Sequence, residues 1–415
     1  MKEDVAVANI ETFLDEERKA KKLTITEPLA ALQTPCFVLD EKELRGGITG
    51  FYEALNRRFS KSCIGYSVKT NSLPYAIAMA KDCGCYAEVV SDDELDLAIA
   101  CGFELNHVIF NGPMKSKDYF LKAIQNGAIV NIETHREIEW LRCLPTDKVY
   151  NVGLRLSVNI SEVSPEDADG ENDYSRFGFS DATEEFNKAI NAIKDIPQVR
   201  LAGLHIHRTS HSRSVRFYEN SVSYAASVIK KYGLELAYID VGGGYYGVFR
   251  NAPTFDDYSA AIYAALKKYD LENLAVVVEP GNALVASAFS YYSTVIDEKE
   301  LPNFRVLTTD GSRNDIDPFF RKSRYLQEIF RKSEVVEQVP LQIIAGATCL
   351  EYDKLFELEN EAKICVGDKI KYNNVGAYTL TLTPNFINYY PRVYAVGEDG
   401  VKIVREKWTS WAFAA

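Results

Sequence analysis

Short apolar, β-branched stretches alternate with amphipathic stretches between residues 62 and 281. This alternation predicts a series of strands, each followed by a helix. Eight strands are predicted, at Ser62–Lys69, Cys85–Ser91, His107–Pro113, Ala128–Thr134, Tyr150–Val158, Arg200–His207, Ala237–Gly244 and Leu274–Gly281. Eight βα units in this length indicate a (β/α)8 barrel of the TIM type. A doubly wound open sheet is the alternative, because periodicity alone does not close a barrel.

The stretches between the predicted strands have the character of helices. Asp92–Ala100 has acidic residues in its first turn and follows Ser91, which is a suitable N-cap. Ser212–Tyr232 and Phe255–Tyr269 are longer amphipathic stretches of the same kind. Asn159–Asp181 is polar and rich in Pro, Gly and Asp, so we expect a long loop over the mouth of the barrel.

After about residue 285 the pattern changes to strands without long helices between them. Six strands are predicted there, at Tyr291–Ile296, Arg305–Thr309, Leu341–Ala345, Lys369–Tyr372, Arg392–Val396 and Gly400–Val404. We therefore expect three parts: an N-terminal extension at 1–34 with a helix near Val5–Ala20, a barrel at 35–285, and a mostly β domain at 286–415. The strand near 35–40 is expected to join the β domain.

Composition and charge narrow the range of partners. The 415 residues are 47% hydrophobic and 26% charged, which excludes a wholly disordered or fibrous chain. The net charge is −12 with no block of Lys and Arg, which disfavours nucleic acid or an anionic membrane as a partner. The acidic N-terminus resembles no signal peptide, and the apolar runs are too short to span a bilayer. We expect a cytoplasmic protein with free cysteines.

Barrel enzymes carry their chemistry at the C-terminal ends of the strands. The polar residues at these ends are Lys69, Glu88, Ser91, Asn111, Glu133, Arg155, His205, His207 and Glu279. Burial at the end of a strand disfavours the charged form of Lys69 and would make it a nucleophile for a carbonyl group. A surface lysine at the start of a loop is the alternative.

The turn Gly242–Gly244 follows the seventh strand. Its glycines let backbone N–H groups approach a phosphate closely, and Gly281 offers another N–H. A tight structural turn is the alternative. Glu279 ends an apolar run, and a buried carboxylate needs a partner such as a protonated heterocyclic nitrogen or an arginine.

His205 and His207 face the same side of a strand because side chains alternate. This spacing suits a metal in barrel hydrolases. The other histidines, His107, His135 and His211, form no second motif of this kind. We therefore favour one histidine that faces a cofactor and one that is satisfied in the core, with no metal.

Seven motifs occur in the order YSVKTN, EVVSDDEL, HIHRTS, DVGGGYYG, VEPG, TCLEYD and NVGAYT. Together they resemble the fold type III pyridoxal-phosphate decarboxylases, which include the diaminopimelate and ornithine decarboxylases, over about residues 35–395. The resemblance implies an alanine racemase-like barrel followed by a C-terminal β domain. It also implies pyridoxal 5′-phosphate as cofactor, an amino-acid substrate, and a homodimer with shared active sites.

The resemblance also implies roles for individual residues. Lys69 would carry the cofactor covalently, Glu279 would pair with its ring nitrogen, and His207 would stack on its ring. Other cofactor contacts would come from Glu88, Arg155, Ser210, Gly242, Gly243, Gly244, Gly281 and Tyr378. Cys349 of the partner subunit would be the proton donor.

Three positions depart from the family pattern. Asn282 stands where an arginine usually follows Glu-Pro-Gly, and Leu350 stands where an acidic residue usually follows the cysteine. Asp317 stands where diaminopimelate enzymes carry an arginine that reads a substrate carboxylate. Residues proposed to contact the substrate are Arg313, Asp317, Glu351, Asp353 and Tyr378.

The predicted activity is pyridoxal-phosphate-dependent decarboxylation of a free or carrier-linked amino acid, like that of diaminopimelate decarboxylase but with altered substrate-reading positions. Three alternatives stay open at this point. They are an amino-acid racemase of the same fold type, a zinc-dependent barrel hydrolase using His205 and His207, and a non-catalytic pyridoxal-phosphate binder.

Overall fold

The computed structural model describes residues 32–170, 173–208, 212–247, 252–333 and 336–414. The chain divides into two compact units, one formed by Arg45–Leu284 and the other by Met1–Leu44 with Val285–Ala415. The helix expected near Val5–Ala20 and the predicted site residue Ser210 lie outside the described residues.

Strands make up most of the regular structure of both units. They are β1 Cys36–Asp40, β2 Ser62–Ser67, β3 Tyr86–Ser91, β4 Val108–Met114, β5 Ile129–Ile132, β6 Tyr150–Ser157, β7 Phe179–Ser180, β8 Val199–His205, β9 Tyr238–Asp240, β10 Ala275–Val278, β11 Phe289–Glu300, β12 Arg305–Thr309, β13 Leu326–Phe330, β14 Gln338–Ala345, β15 Lys354–Ala362, β16 Lys369–Asn373, β17 Arg392–Gly397 and β18 Gly400–Arg405.

The helices lie mostly between the strands of the first half. They are α1 Glu41–Asn56, α2 Pro74–Asp82, α3 Asp92–Ala100, α4 Lys117–Gln125, α5 His135–Leu141, α6 Ile160–Val163, α7 Glu185–Lys194, α8 Val215–Lys231, α9 Phe255–Lys267, α10 Asn282–Val285, α11 Arg313–Ile316 and α12 Ser410–Ala414.

The unit Arg45–Leu284 is a closed barrel of eight parallel strands. Their order is β2, β3, β4, β5, β6, β8, β9 and β10, and β10 pairs with β2 to complete the ring. The short β7 adds to β6 at the edge. The predicted (β/α)8 barrel is confirmed, and an open doubly wound sheet is excluded because every strand of the ring has two neighbours.

Helix boundaries follow the capping signals in the sequence. The Ser91 side chain accepts a hydrogen bond from Glu94 N at 3.2 Å, which begins α3 at the predicted position. Thr254 and Asp257 form a capping box at the start of α9. The stretch Asn159–Asp181 is largely irregular, as expected, but it also contains α6 and β7.

The other unit is built on a nine-stranded sheet. Its main order is β15, β14, β12, β11, β1, β17 and β18, while β16 pairs with β11 and β13. The early strand β1 lies between β11 and β17, antiparallel to the first and parallel to the second. All six strands predicted after residue 285 are present, and the mostly β character of this unit is confirmed. Strands β13 and β15 were not predicted.

Buried tyrosines support the glycine-rich turn after β9. Tyr218 stacks on Tyr245 with ring centroids 4.6 Å apart, and Tyr258 packs edge-on against both rings. The Tyr218 hydroxyl donates to Gly243 O at 2.9 Å. Because this cluster is closely packed, the backbone of the turn is held from behind by rigid rings.

Candidate active site

Lys69 follows the end of β2 and contacts Glu88 in the neighbouring strand β3. Glu88 O accepts from Val68 N at 3.0 Å, so the two strands stay paired up to the residue before Lys69. The Lys69 ammonium donates to the Glu88 carboxylate. Glu88 is buried, whereas about a third of the Lys69 side chain is exposed. The sequence led us to expect that burial would disfavour the charged form of Lys69. The structure adds an opposing influence, because the adjacent Glu88 carboxylate favours the charged form.

Glu279 lies at the end of β10 on the floor of the barrel mouth. Its Oε1 accepts from Asn111 Nδ2 at 2.6 Å, and the same amide nitrogen lies 3.3 Å from Glu88 Oε1. The Glu279 backbone N–H donates to Gly242 O at 2.7 Å. Asn111 thus connects the carboxylate beside Lys69 with the carboxylate at the floor.

Asp240 and Glu279 face each other in a buried site. An oxygen of each carboxylate and a ring nitrogen of His205 all lie within 4.8 Å of one another. Burial, followed by the charge of Glu279, raises the pKa of Asp240 well above its ordinary value. Two buried carboxylates at this distance share one proton, and we assign it to Asp240.

His205 is buried in a way that the sequence did not predict. Neither of its ring nitrogens has a hydrogen-bond partner among the described residues, so it is not satisfied in the core. Burial, together with the charge of Arg155, lowers its pKa well below the ordinary value. The rings of His205 and His207 are nearly parallel with centroids 6.2 Å apart, which is a stacked arrangement rather than two ligands converging on an ion.

His207 is fixed from two sides. Its Nδ1 accepts from Gly243 N at 3.0 Å, and its backbone O accepts from the Arg155 guanidinium at 3.0 Å. Burial lowers the pKa of His207 to about 3, with a smaller contribution from the charge of Arg155. The imidazole is therefore neutral at physiological pH. Arg155 is itself held by Glu133 at 2.9 Å.

Neighbouring atoms leave no room for a side chain at the glycines of the barrel mouth. Gly242 has a φ of +74°, and a Cβ at this position would come within 2.4 Å of the His207 side chain. A Cβ at Gly243 would lie 2.3 Å from Glu279 O, and one at Gly281 would lie 2.2 Å from Thr70 Oγ1. The backbone at the barrel mouth is thus bare where the sequence predicted a phosphate site.

The remaining predicted residues belong to the β unit. Cys349 and Glu351 are exposed, and Tyr378 is 45% exposed with a φ of +56°. Asp353 is buried and accepts hydrogen bonds from Ser312 Oγ, Arg313 N and the Thr348 hydroxyl and amide. A substrate contact by Asp353 would have to break these bonds.

Asp317 is also engaged within the β unit. Its carboxylate accepts from the Arg313 guanidinium, the backbone N–H groups of Arg321 and Lys322, and the Tyr325 hydroxyl. The sequence left open whether Arg313 compensates for the missing arginine at position 317. Arg313 is instead paired with the aspartate that replaced it.

These residues fit pyridoxal phosphate. The barrel mouth brings together an amine that suits the cofactor aldehyde, a neutral imidazole face, a carboxylate that suits the ring nitrogen, and a turn in which any Cβ would fill the space. The ring stacking of His205 and His207 gives the zinc alternative little support. Fold and site together define a pyridoxal-phosphate enzyme of fold type III.

Comparisons with known proteins agree with this class. Residues 46–286 match the family described as "Pyridoxal-dependent decarboxylase, pyridoxal binding domain". The chain is 26% identical over 397 residues to a diaminopimelate decarboxylase of Methanocaldococcus jannaschii, covering 91% of this chain and 89% of that protein. It is 26% identical over 384 residues to a probable chloroplastic diaminopimelate decarboxylase of Oryza sativa subsp. japonica, covering 89% and 76%.

A solved structure supports the fold. The crystal structure of a diaminopimelate decarboxylase from M. jannaschii superposes with a TM-score of 0.81 at 24% identity, covering 92% of this chain and 91% of that one. The chain belongs to the pyridoxal-dependent decarboxylase family. It is a pyridoxal-phosphate-dependent amino-acid decarboxylase.

Two polar residues of the barrel interior were not predicted from the sequence. Asn131 in β5 and Tyr238 in β9 contact each other inside the barrel. A signal was present for Asn131, because a polar residue within the apolar strand Ile129–Ile132 needs an internal partner. Across the described residues, no helix combines the length and apolar character needed to cross a membrane.

Proposed function

We propose that Lys69, Glu88, His207 and Glu279 perform the decarboxylation of an α-amino acid at the barrel mouth. The observation that carries this proposal is the contact between the Lys69 ammonium and Glu88, with Asn111 joining Glu88 to Glu279. When bound, pyridoxal phosphate supplies an electron sink for the bond that releases carbon dioxide. Lys69 would hold the cofactor between turnovers.

Each remaining contact has a role in this proposal. Glu88 holds the Lys69 amine in place and can take or return its proton. The neutral His207 presents a flat face whose tilt is fixed by Gly243 N. Glu279 would face the ring nitrogen while Asp240 keeps the shared proton. Arg155 would act by holding His207, and the phosphate would meet Gly242–Gly244, Gly281, Ser210 and Tyr378.

The substrate is proposed from the β unit and the relatives. The relatives' name makes diaminopimelate the first compound to test. However, Arg313 is paired with Asp317, so this position offers no free guanidinium to bind a distal carboxylate. We therefore favour an amino acid whose distal end carries no carboxylate, such as one with a distal amine, either free or carrier-linked.

A homodimer with shared active sites is part of the proposal. Phe319 and Tyr352 are 61% and 58% exposed on the β unit, and the Phe320 ring packs edge-on against Tyr352. Exposed aromatic side chains of this kind suit a subunit interface. Cys349 lies three residues before Tyr352 and is an exposed free thiol, which fits a proton donor delivered to the partner's site.

Domain limits and location complete the proposal. We keep residue 285 as the end of the cofactor-binding domain and 286–415 as the β domain, supported by the division of the chain between Leu284 and Val285. Residues 35–44, which include β1, group with the β unit, so we move the start of the cofactor-binding domain from 35 to 45. A cytoplasmic location is supported by the eight cysteines, which are all free thiols.

The test is release of carbon dioxide from carboxyl-labelled amino acids by the purified protein with pyridoxal phosphate. The panel holds diaminopimelate, lysine, ornithine, arginine, glutamate and carboxylated polyamine precursors. We expect release from a compound with a distal amine and no distal carboxylate, and none from the Lys69→Ala variant. Lys117→Ala, which removes an exposed lysine of α4, should behave like the wild type. Preferred release from diaminopimelate would overturn the substrate proposal, and an active Lys69→Ala would overturn the site.

A further inference from the structure

A chain of hydrogen bonds runs through the barrel interior toward Glu279. The Tyr238 hydroxyl lies 3.1 Å from Asn131 Oδ1, and Asn131 Nδ2 lies 2.9 Å from Asn111 Oδ1. Asn111 Nδ2 then contacts Glu279 Oε1 at 2.6 Å. Asn111 and Asn131 are buried, and neither Asn131 nor Tyr238 has a place in the chemistry described above.

The direction of this chain is fixed at its carboxylate end. Asn111 has Glu279 and Glu88 beside its amide nitrogen, and ionised carboxylates only accept hydrogen bonds, so the NH2 group must face them. Its carbonyl oxygen then accepts from Asn131, whose NH2 group also faces Asp240 Oδ2 at 3.1 Å. Only the carbonyl oxygen of Asn131 is left for Tyr238, so the Tyr238 hydroxyl must donate.

Two strand glycines make room for these side chains. A Cβ at Gly203 in β8 would lie 2.0 Å from the Tyr238 ring. A Cβ at Gly153 in β6 would lie 2.0 Å from Asn131 Oδ1 and 2.4 Å from the Tyr238 hydroxyl. Glycine inside a strand lacks a side chain that packs, and here it allows close approach of other groups. The interior is therefore shaped around this hydrogen-bond chain.

We propose that Tyr238 and Asn131 are positioning residues that act through Asn111 to hold the orientation of the Glu279 carboxylate. If Asn111 turned over, its carbonyl oxygen would face the carboxylate, and the repulsion between the oxygens would displace the Glu279 carboxylate from its position. Tyr238 adds to the constraint from the two carboxylates, because it holds Asn131, which in turn donates to Asn111. This inference rests on the proposed function, in which Glu279 pairs with the ring nitrogen of the cofactor.

The test compares Tyr238→Phe with the wild-type holoenzyme. Tyr150→Phe is the matched control, because it removes a hydroxyl at the start of β6 that donates to Asp147 Oδ1 at 3.1 Å. Three quantities are measured: the ¹⁵N resonance of the ring nitrogen in labelled pyridoxal phosphate, the dissociation constant of pyridoxal phosphate from the apoenzyme, and kcat and KM separately. Circular dichroism confirms that each variant is folded.

We expect Tyr238→Phe to move the ¹⁵N resonance toward that of a neutral pyridine and to weaken cofactor binding about fivefold, as loss of one hydrogen bond allows. We expect kcat to fall by a similar factor with KM unchanged. Tyr150→Phe should match the wild type in all three. A folded Tyr238→Phe with wild-type resonance and affinity would overturn the proposal.

Two further variants separate this inference from the proposed function. Glu279→Gln should shift the ¹⁵N resonance more than Tyr238→Phe does. An unshifted resonance in Glu279→Gln would refute the contact of Glu279 with the ring nitrogen. A shift in Glu279→Gln but not in Tyr238→Phe would refute only the hydrogen-bond chain. Should Tyr238→Phe fail to fold, Asn131→Asp replaces it, since it keeps the shape but removes both amide donors.

Discussion

The Arg313 guanidinium donates to one oxygen of Asp317 through Nε at 2.9 Å and through a terminal nitrogen at 2.8 Å. The same carboxylate accepts two backbone N–H groups and the Tyr325 hydroxyl, and Asp317 is buried. The aspartate therefore holds the segment Arg313–Tyr325 together as the shared acceptor of a buried network.

Asp317→Ala should lower the free energy of unfolding by about 3 kcal/mol, because it leaves a partly buried guanidinium and several donors without their acceptor. Urea denaturation followed by circular dichroism measures this. Glu351→Ala, which removes an exposed carboxylate from the same unit, should change stability by less than about 0.5 kcal/mol. Equal stability of the two variants would show that Asp317 does not organise this segment.

A second buried ion pair lies in the barrel unit. Lys115 and Glu137 are fully buried, with 3.0 Å between Nζ and Oε1, and Glu137 Oε2 also accepts from the backbone N–H groups of Glu133 and Thr134. Lys115→Met should destabilise the protein by about 3–5 kcal/mol, because a buried carboxylate loses its cation. Denaturation of the holoenzyme in urea gives this value.

The control for Lys115→Met is Arg142→Met. Arg142 pairs with Glu139 at 3.4 Å, but both side chains are about half exposed or more. An exposed pair of this kind contributes about 0–1 kcal/mol, so this variant should be close to the wild type. A small loss in Lys115→Met as well would mean that the pair is not needed for folding.

The glycine turn gives a prediction in which strain and crowding can be separated. Gly84 and Gly242 have similar φ angles of +83° and +74°, but a Cβ at Gly84 meets nothing within 4 Å. Gly84→Ala should lower the free energy of unfolding by about 1 kcal/mol, because alanine disfavours the left-handed backbone conformation. Gly242→Ala should lower the free energy of unfolding by about 2 kcal/mol more, because its Cβ would clash with the His207 side chain.

Thermal unfolding of the two apoenzyme variants provides this comparison. Gly242→Ala should in addition weaken pyridoxal-phosphate binding, since His207 would have to move, while Gly84→Ala should leave it unchanged. Similar losses in the two variants would indicate that the turn relaxes around the added methyl group.

Much of the barrel could be predicted from the sequence because buried parallel strands are short apolar runs, and the eight predicted strands match the ring. Strands β13 and β15 could not be predicted, because charged and polar residues in them hide the alternation of apolar and polar positions. These strands are Leu326–Phe330 and Lys354–Ala362. β15 is an edge strand, where charged side chains are common because one side of the strand lacks a partner.

The site shows the same division. Lys69, Glu88 and Glu279 could be placed at one rim because parallel strands end on the same side. The contacts of Tyr238 and Asn131 could not, because they depend on which strands face each other across a closed barrel. The role of Asp317 could not be predicted either, since its acceptor role depends on the turn made by Phe320–Lys322.

Because of Asp315, we expect the free energy of unfolding to depend on pH. Burial raises the pKa of Asp315 from 3.8 to about 6, although hydrogen bonds from Tyr291 and Ser312 oppose this. The folded state therefore binds this proton more tightly than the unfolded state does. The resulting stabilisation is fully present below pH 3.8 and is lost as the pH rises through 6, amounting to about 3 kcal/mol.

Asp315→Asn should remove this dependence, because the amide oxygen can still accept from Tyr291 but does not titrate. Urea denaturation at a series of pH values between 4 and 7 would show stability falling less steeply in the variant than in the wild type. Parallel curves would mean that Asp315 does not titrate in this range.

The proposed shared active site is tested by mixing two inactive variants. Lys69→Ala lacks the cofactor lysine and Cys349→Ala lacks the proposed proton donor, so each homodimer should be inactive or slow in decarboxylation. In a mixed dimer with shared sites, one site carries both changes and the other carries neither. An equal mixture after subunit exchange should therefore recover about one quarter of the wild-type activity. If Lys69 and Cys349 instead acted within one subunit, every site would keep one defect, and exchange confirmed by mass spectrometry would restore no activity.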